Sequence, residues 1–213
     1  MKINGHAALT KVLLERAGYK SLSQAIAEMA IFPHPDTVKQ TKNNNLFQII
    51  RSASFRGQIE SGIMFDDNNS PARAFEWSLA EQLFWKDVQF NHIYADSKNV
   101  KIYTSLANIC ITPAFLSKLT DTDEVIKHLL KYRSYELYGF CPEGEKTPKR
   151  PADYGSLYWH DFPNKVENLE KVMRSRMFQC LKNRATISAI ECGWYFSDYE
   201  PDLSLGQVLK KAA

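Results

Sequence analysis

Several absences narrow the class of this chain before any pattern is read. Its four cysteines, Cys110, Cys141, Cys180 and Cys192, include no CxxC pair. No Cys/His cluster has zinc-ligand spacing either, so no structural zinc is expected. The settings Ile109-Cys110-Ile111 and Phe178-Gln179-Cys180-Leu181 are apolar, which suits reduced core thiols of a cytoplasmic protein. No hydrophobic run approaches the length of a membrane span, and Met1-Lys2-Ile3-Asn4-Gly5-His6 lacks an apolar signal core. A soluble, cytoplasmic chain with no membrane partner is therefore expected. Also missing are a Gly-rich phosphate loop, a dinucleotide fingerprint, a nucleophile elbow and a Cys–His nucleophile signature. Nor is there an internal repeat or a long low-complexity tract.

Charge of one sign is scarce too. A formal net charge of +3 from 27 basic and 24 acidic residues permits a nucleic-acid partner without requiring one, so the placement of charge matters more than its sum. What is present is enough for a real core: 213 residues, 44% hydrophobic and 12% aromatic. One domain spanning residues 1–213 is the starting expectation.

Periodicity divides the chain into three parts. Residues 1–56 read as an N-terminal helical part. Leu9, Val12, Leu13 and Ala17 recur at helical spacing before Gly18, and Ser21 with Gln24 forms a capping-box pattern for a helix from Leu22 to Ile31. Phe32-Pro33-His34-Pro35 stops that helix. Leu46, Ile49, Ile50 and Ala53 predict a further helix over 45–55. A turn-rich connection follows, with a short strand at Ile63-Met64-Phe65, and Ser70-Pro71 reads as the cap and first turn of a helix to about Phe84.

Residues 87–119 hold a compact element. Val88, Phe90, His92 and Tyr94 alternate with Gln89, Asn91 and Ile93, the period-two signature of a strand. Asn108-Ile109-Cys110-Ile111-Thr112 is a second β-favouring run, and Thr112-Pro113 starts a helical segment through Lys118. The loop between the strands, Ala95 to Leu106, is too long for a tight hairpin and reads as too polar for core.

Residues 120–213 read as C-terminal helices. One starts after Thr120 and Asp123 and closes at Gly139. A second is opened by Asn164 with Glu167 and runs to about Asn183, and a third reaches Cys192. Between them, 141–163 is a proline-rich loop containing Pro142, Pro148, Pro151 and Pro163. The sum is an α+β fold, predominantly helical, with helices around a small ββα element.

The strand–loop–strand–helix order, with His92-Ile93 on the first strand and Asn108-Ile109 opening the second, resembles the HNH, or ββα-metal, endonuclease family over about residues 89–118. The resemblance implies metal-dependent phosphodiester hydrolysis of DNA. His92 would take a proton from the attacking water, and Asn108 would orient the imidazole directly or through backbone. A divalent ion, Mg²⁺ or Mn²⁺, would stabilise charge on the phosphate. Asn91, Asp96, Ser117 and Asp121 are the oxygen donors available to it. Asn91 stands where the family commonly has an acidic ligand, Tyr94-Ala95 where it has proline, and Ser117-Lys118 where it has a second His or Asn. Read without the resemblance, His92 is a core histidine with one hydrogen-bond partner, and Asn108 satisfies loop backbone.

No acidic residue interrupts the run from Lys171 to Arg184. On a helical wheel, Lys171, Arg174 and Lys182 face away from Leu169, Val172 and Met173, a stripe that could follow a phosphate backbone together with Lys146, Lys149 and Arg150. A solvated helix face is the plain alternative. Tyr154, Tyr158, Trp159 and Phe162 either stack on bases or pin the proline-rich loop to the core. The expectation is an HNH-like DNA endonuclease; the alternative is a non-catalytic DNA-binding or protein-interaction subunit with a degenerate ββα element. A homodimer suits a cutter of both duplex strands, though no residue marks its interface.

Overall fold

A computed structural model of the chain describes residues 4–66, 69–81 and 86–179. The fold is α+β and mostly helical, with two small sheets, a three-stranded one and a two-stranded one. Among the described residues no helix is long and apolar enough to cross a membrane. The chain forms two compact units, each assembled from three separated stretches of sequence.

The first unit comprises Met1–Phe32, Trp85–Ile93 and Cys110–Phe162. Helix α1 (Gly5–Lys11) is capped by Asn4, whose side chain accepts the Ala7 amide, and runs into one π-helical stretch, Val12–Arg16. Helix α2 (Leu22–Met29) starts where the capping pattern places it. The Ser21 hydroxyl accepts the Gln24 amide, and Gln24 Oε1 returns to the amide of Lys20. Its inner face, Ala25, Ile26 and Ala27, is fully buried.

Strands β4 (Val88–His92) and β5 (Ile109–Pro113) pair, and the helix that follows, α5 (Ser117–Thr122), packs on β4. Residues 114–116, expected as helix, form turns instead, closed by Leu116 N–H to the Pro113 carbonyl at 2.9 Å. Helix α6 (Glu124–Tyr138) begins one step after Asp123, whose carboxylate accepts the Val125 and Ile126 amides. It ends at Gly139, which adopts φ 65°, a left-handed cap that glycine reaches without a Cβ penalty. Ile126, Leu129 and Leu130 turn inward, and α2 and α5 both pack on α6.

The second unit comprises Pro33–Phe84, Tyr94–Ile109 and Pro163–Ala213. Helix α3 (Pro35–Lys39) carries Thr37 and leads to Gln40. Thr37 Oγ1 accepts the Val166 amide, while Gln40 accepts the Leu169 amide and donates to the Val166 carbonyl. These bonds hold residues 166–168 out of helical geometry, so α7 begins at Leu169, not Asn164, with Asn168 accepting the Lys171 amide. Helix α7 is described to Gln179; its expected extension to Asn183, with Cys180 and Lys182, lies outside the described residues, as do Cys192 and the helix expected to reach it.

The helix expected over 45–55 is absent. Strand β1 (Ile49–Arg51) and a short 3₁₀ turn stand there instead. The amide of Leu46 goes to the Thr104 carbonyl, that of Phe47 to the Thr104 hydroxyl, and Ile49 lies opposite Met64. Non-local partners for the backbone outweigh a helical apolar period of only four positions. Strands β2 (Ile59–Glu60) and β3 (Ile63–Asp66) complete a sheet in the order β1-β3-β2, with β1 parallel and β2 antiparallel to β3. Helix α4 (Asn69–Trp77) follows; Ser70 sits in its first turn, not at its cap, because Asp66 accepts the Ser70 amide. It stops at Trp77, well short of Phe84, where the Ser78 hydroxyl turns back on the Phe75 carbonyl.

Candidate functional site

The unit-one element that carries His92 is built from alternation. On β4, Val88, Phe90 and His92 are half-buried, Gln89 is exposed, and Asn91 is 8% exposed. The face carrying His92 is therefore half-buried. The Asn91 amide nitrogen donates to the Thr112 hydroxyl at 2.9 Å and to the Gln89 carbonyl at 3.1 Å, tying β4 to β5. Among the described residues its Oδ1 takes no hydrogen bond. The Thr112 hydroxyl as partner to Asn91 was not anticipated; its signal was the matched alternation of two strands joined by a loop.

Asn108 closes a 3₁₀ turn, Leu106–Asn108, immediately before β5, and is fully buried. Its carboxamide is committed to backbone. Oδ1 accepts the Tyr94 amide at 2.8 Å, and Nδ2 donates to the carbonyls of Tyr94 and Ile102, each at 3.1 Å. Such three-point use of one amide satisfies buried backbone groups that would otherwise be costly. Tyr94 lies two residues beyond His92 in the chain. The three bonds of the Asn108 carboxamide go to the backbone of Tyr94 and Ile102.

The loop from Ala95 was expected outside the core. Its first residues are, but Ile102 through Ala107 are buried, with Tyr103, Thr104 and Ser105 at 0% exposure. Hydrogen bonds to residues distant in sequence make this possible. Thr104 Oγ1 both accepts the Phe47 amide and donates to the Phe47 carbonyl, and Ser105 Oγ donates to the Asn43 carbonyl. Polarity of sequence did not mean exposure here, because the Thr104 and Ser105 hydroxyls have internal partners.

The remaining candidates for a cation are spread. Ser117 is half-buried at the start of α5, its hydroxyl donating to the Ala114 carbonyl at 2.9 Å. Asp121, one turn further along α5, is exposed and faces Lys118 at 3.8 Å. Asp96 belongs to the second unit, exposed, with Oδ1 accepting the Lys98 amide at 3.3 Å. Among the described residues no three His, Cys, Asp or Glu side chains gather as a metal-binding group. Asn91, Ser117 and Asp121 do supply oxygen donors on elements of one unit that pack together, the donor class a hard divalent ion takes.

The basic candidates also separate by unit. Lys146, Lys149 and Arg150 are exposed on the proline-rich loop of the first. That loop is held by Arg133 of α6. Its guanidinium stacks on Trp159 at 4.5 Å and Phe162 at 5.6 Å, and donates to Tyr154 Oη at 3.0 Å and to Glu136. The Tyr154 hydroxyl in turn bonds Glu136, and its ring meets Tyr132 edge-on at 4.7 Å. Burial, then the hydrogen bond to Glu136, pushes the Tyr154 phenol well above its ordinary range. Tyr154, Trp159 and Phe162 thus pin the loop to Arg133, whereas Tyr158 is 69% exposed. The Arg133 cluster was missed in sequence; the i,i+3 spacing to Glu136 was its only local trace. In the second unit Lys171 is exposed, and Arg174 is bonded through two nitrogens to Glu170, which lies just outside the acid-free run. Lys182 lies outside the described residues.

Searches against protein-family models, curated proteins and solved structures find nothing that matches this chain.

Proposed function

We propose that the chain is an HNH-like nuclease that hydrolyses DNA phosphodiester bonds with a divalent ion. The observation that carries this reading is the Asn108 carboxamide, fully buried and bonded to both backbone groups of Tyr94 and to Ile102, beside the ordered sequence β4, loop, β5, α5. A buried amide that clamps the segment just beyond a strand-terminal histidine is a means of holding an imidazole in one orientation. The partly open face of β4 that bears His92 keeps water within reach.

In this reading neutral His92 takes a proton from the water whose oxygen attacks phosphorus, while the bond from phosphorus to the leaving oxygen breaks. An imidazole ordinarily titrates close to neutral pH, which suits a base. Asn91 Oδ1, Ser117 Oγ and the Asp121 carboxylate are the groups on hand for Mg²⁺ or Mn²⁺, which when bound stabilises charge on the phosphate and the leaving oxygen. Lys146, Lys149 and Arg150, with Lys171, Arg174 and Lys182, supply phosphate contacts.

One observation favours a second reading, a DNA-binding subunit without catalysis: the lone carboxylate of that donor set, Asp121, is faced by Lys118, which lowers its value as a cation ligand. Supercoiled plasmid incubated with Mg²⁺ or Mn²⁺ separates the two. Cleavage by wild type and none by His92→Ala supports the nuclease; mobility shifts by both proteins with no cleavage by either supports the binding subunit.

A further inference from the structure

We infer that the proposed nuclease takes its DNA as an unpaired strand. Tyr158 and His160, displayed on the pinned segment 157–160 of the first unit, form a stacking strip for bases, with Arg150 on an adjoining phosphate. This rests on the nucleic-acid half of the proposed function, whose substrate class it names, and is independent of the cleavage half.

The proline-rich loop turns its aromatic side chains inward with one exception. Trp159 meets Phe32 edge-on at 5.8 Å and carries the Arg133 guanidinium 4.5 Å over its ring, while Tyr154 and Phe162 are drawn to the same cation. Tyr158, in their midst, is 69% exposed. Among the described residues it has no hydrogen bond and no ring contact. A large aromatic ring left in water beside a tightly packed cluster marks a contact site when the backbone beneath it is ordered.

That backbone is fixed at both ends. Leu157 N–H donates to the Tyr154 carbonyl at 3.3 Å, and His160 N–H donates to the Ala27 carbonyl of α2 at 3.0 Å. Leu157 is extended, with φ −83° and ψ 133°. Exposure then alternates, from half-buried Leu157 through exposed Tyr158 and half-buried Trp159 to exposed His160. Alternation is the period of an extended chain, so with Trp159 turned to the core, Tyr158 and His160 share the outer side, about 6.5 Å apart along the chain. The His160 ring is itself held, because Nδ1 donates to the Asp161 carbonyl at 2.9 Å. Rings displayed on backbone already held in shape lose little conformational entropy on binding.

Chemistry selects the partner. The Arg150 guanidinium lies over the Tyr154 ring at 5.7 Å and beside Gly155, where an added Cβ would meet it at 3.2 Å. Gly155 is three residues from Tyr158, at most about 10 Å of chain. Among the described residues Lys146, Lys149 and Arg150 have no acidic partner, whereas Glu145 of the same loop is taken by Lys131. A cation held within that reach of two displayed rings matches an unpaired strand, guanidinium to phosphate and ring to base. A duplex hides its base faces in a stack of about 3.4 Å rise, closer than these two rings stand; an unpaired strand offers them. Asp153 and Asp161 are exposed on the loop too. Stacking therefore carries most of the affinity, and a shallow salt dependence follows.

The test measures fluorescence anisotropy of a labelled all-thymine DNA strand of roughly 12 nucleotides, in EDTA, across a salt series, against the same strand annealed to its complement. The unpaired strand is expected to bind about tenfold or more tighter than the duplex. Tyr158→Ala is expected to weaken strand binding about tenfold with the salt slope unchanged, since a neutral ring releases no counterion, while Tyr158→Phe, which keeps the ring, binds as wild type. Arg150→Gln is expected to lower the magnitude of the log K against log salt slope by about 0.7, one phosphate of a single strand. No strand binding, duplex bound as tightly as the strand, or wild-type affinity in Tyr158→Ala overturns the strip. Wild-type self-association in sedimentation, abolished by Tyr158→Ala while strand binding persists undiminished, overturns it in favour of a second copy of the chain. Cleavage of both DNAs is read in parallel with Mg²⁺. Tyr158-dependent strand binding without cleavage leaves the strip standing and removes the nuclease; cleavage that ignores Tyr158 and does not favour the unpaired strand does the reverse.

Discussion

Two irregular loops in this protein are held in opposite ways. The loop after His92 is fastened by one neutral, fully buried carboxamide, Asn108, through three bonds to backbone. The proline-rich loop is fastened by a cation, Arg133, sandwiched on Trp159 and Phe162 and bonded to Tyr154 and Glu136. A neutral buried clamp gives fixed position and little tolerance, because each backbone group it serves has no water to fall back on. The charged, aromatic clamp is largely buried too, and the loop it fastens displays Lys146, Lys149 and Arg150 to solvent.

The largest effect expected from this contrast is on reaction rate. His92→Ala should reduce plasmid cleavage by about two to four orders of magnitude, the usual contribution of a general base, with duplex affinity and melting temperature unchanged. Triple replacement of Lys146, Lys149 and Arg150 by alanine should do the converse, flattening the salt dependence of binding while sparing the rate at saturation. A mutant that moved both readouts equally would break the division of labour.

Next in size is stability. Asn108→Ala strands the Tyr94 amide and two carbonyls and should cost about 3 kcal/mol or more in urea unfolding. Asn108→Asp, nearly isosteric, should be as damaging, since it turns an acceptor toward the carbonyls of Tyr94 and Ile102; wild-type stability in this variant would show that the amide donors do nothing. Arg133→Ala should cost less, about 1–2 kcal/mol, and sensitise residues 141–162 to limited proteolysis. Arg133→Lys should recover part of that, keeping charge but losing the planar fork.

The smallest effect lies at alkaline pH. Burial pushes the Cys110 thiol up from its ordinary 9.0 to about 12. The unfolded chain therefore releases this proton first, so the contribution is complete below about pH 9 and is lost as pH rises from there toward 12. The raised Tyr154 phenol acts in the same sense at higher pH. Cys110→Ala should flatten the fall in melting temperature between about pH 9 and 11, by at most about 1.4 kcal/mol per pH unit; an unchanged slope would place the alkaline sensitivity elsewhere.

Much of the local architecture was legible in advance. The α2 cap at Ser21–Gln24, the alternation of β4 and the left-handed stop at Gly139 all depend on residues within a few positions of one another, where propensity and capping act. The order of strand, loop and strand around His92 and Asn108 was legible for the same reason. The error over 45–55 has an equally plain cause: Thr104, far along the chain, takes the backbone groups of Leu46 and Phe47 that a helix would have needed.

What the amino-acid order settled on its own is therefore what a residue and its near neighbours decide: the start of α2 at its Ser21–Gln24 cap, the stop of α6 at Gly139, and a strand that ends at a histidine. Tertiary structure alone decided which backbone the Asn108 amide would serve, that the second half of a polar loop would be buried, that Arg133 would lock the proline-rich segment, and that Phe55 and Ile59 would be left exposed. Each of these turns on partners distant in sequence, whose hydrogen bonds and burial are fixed only when the separated stretches of each unit come together.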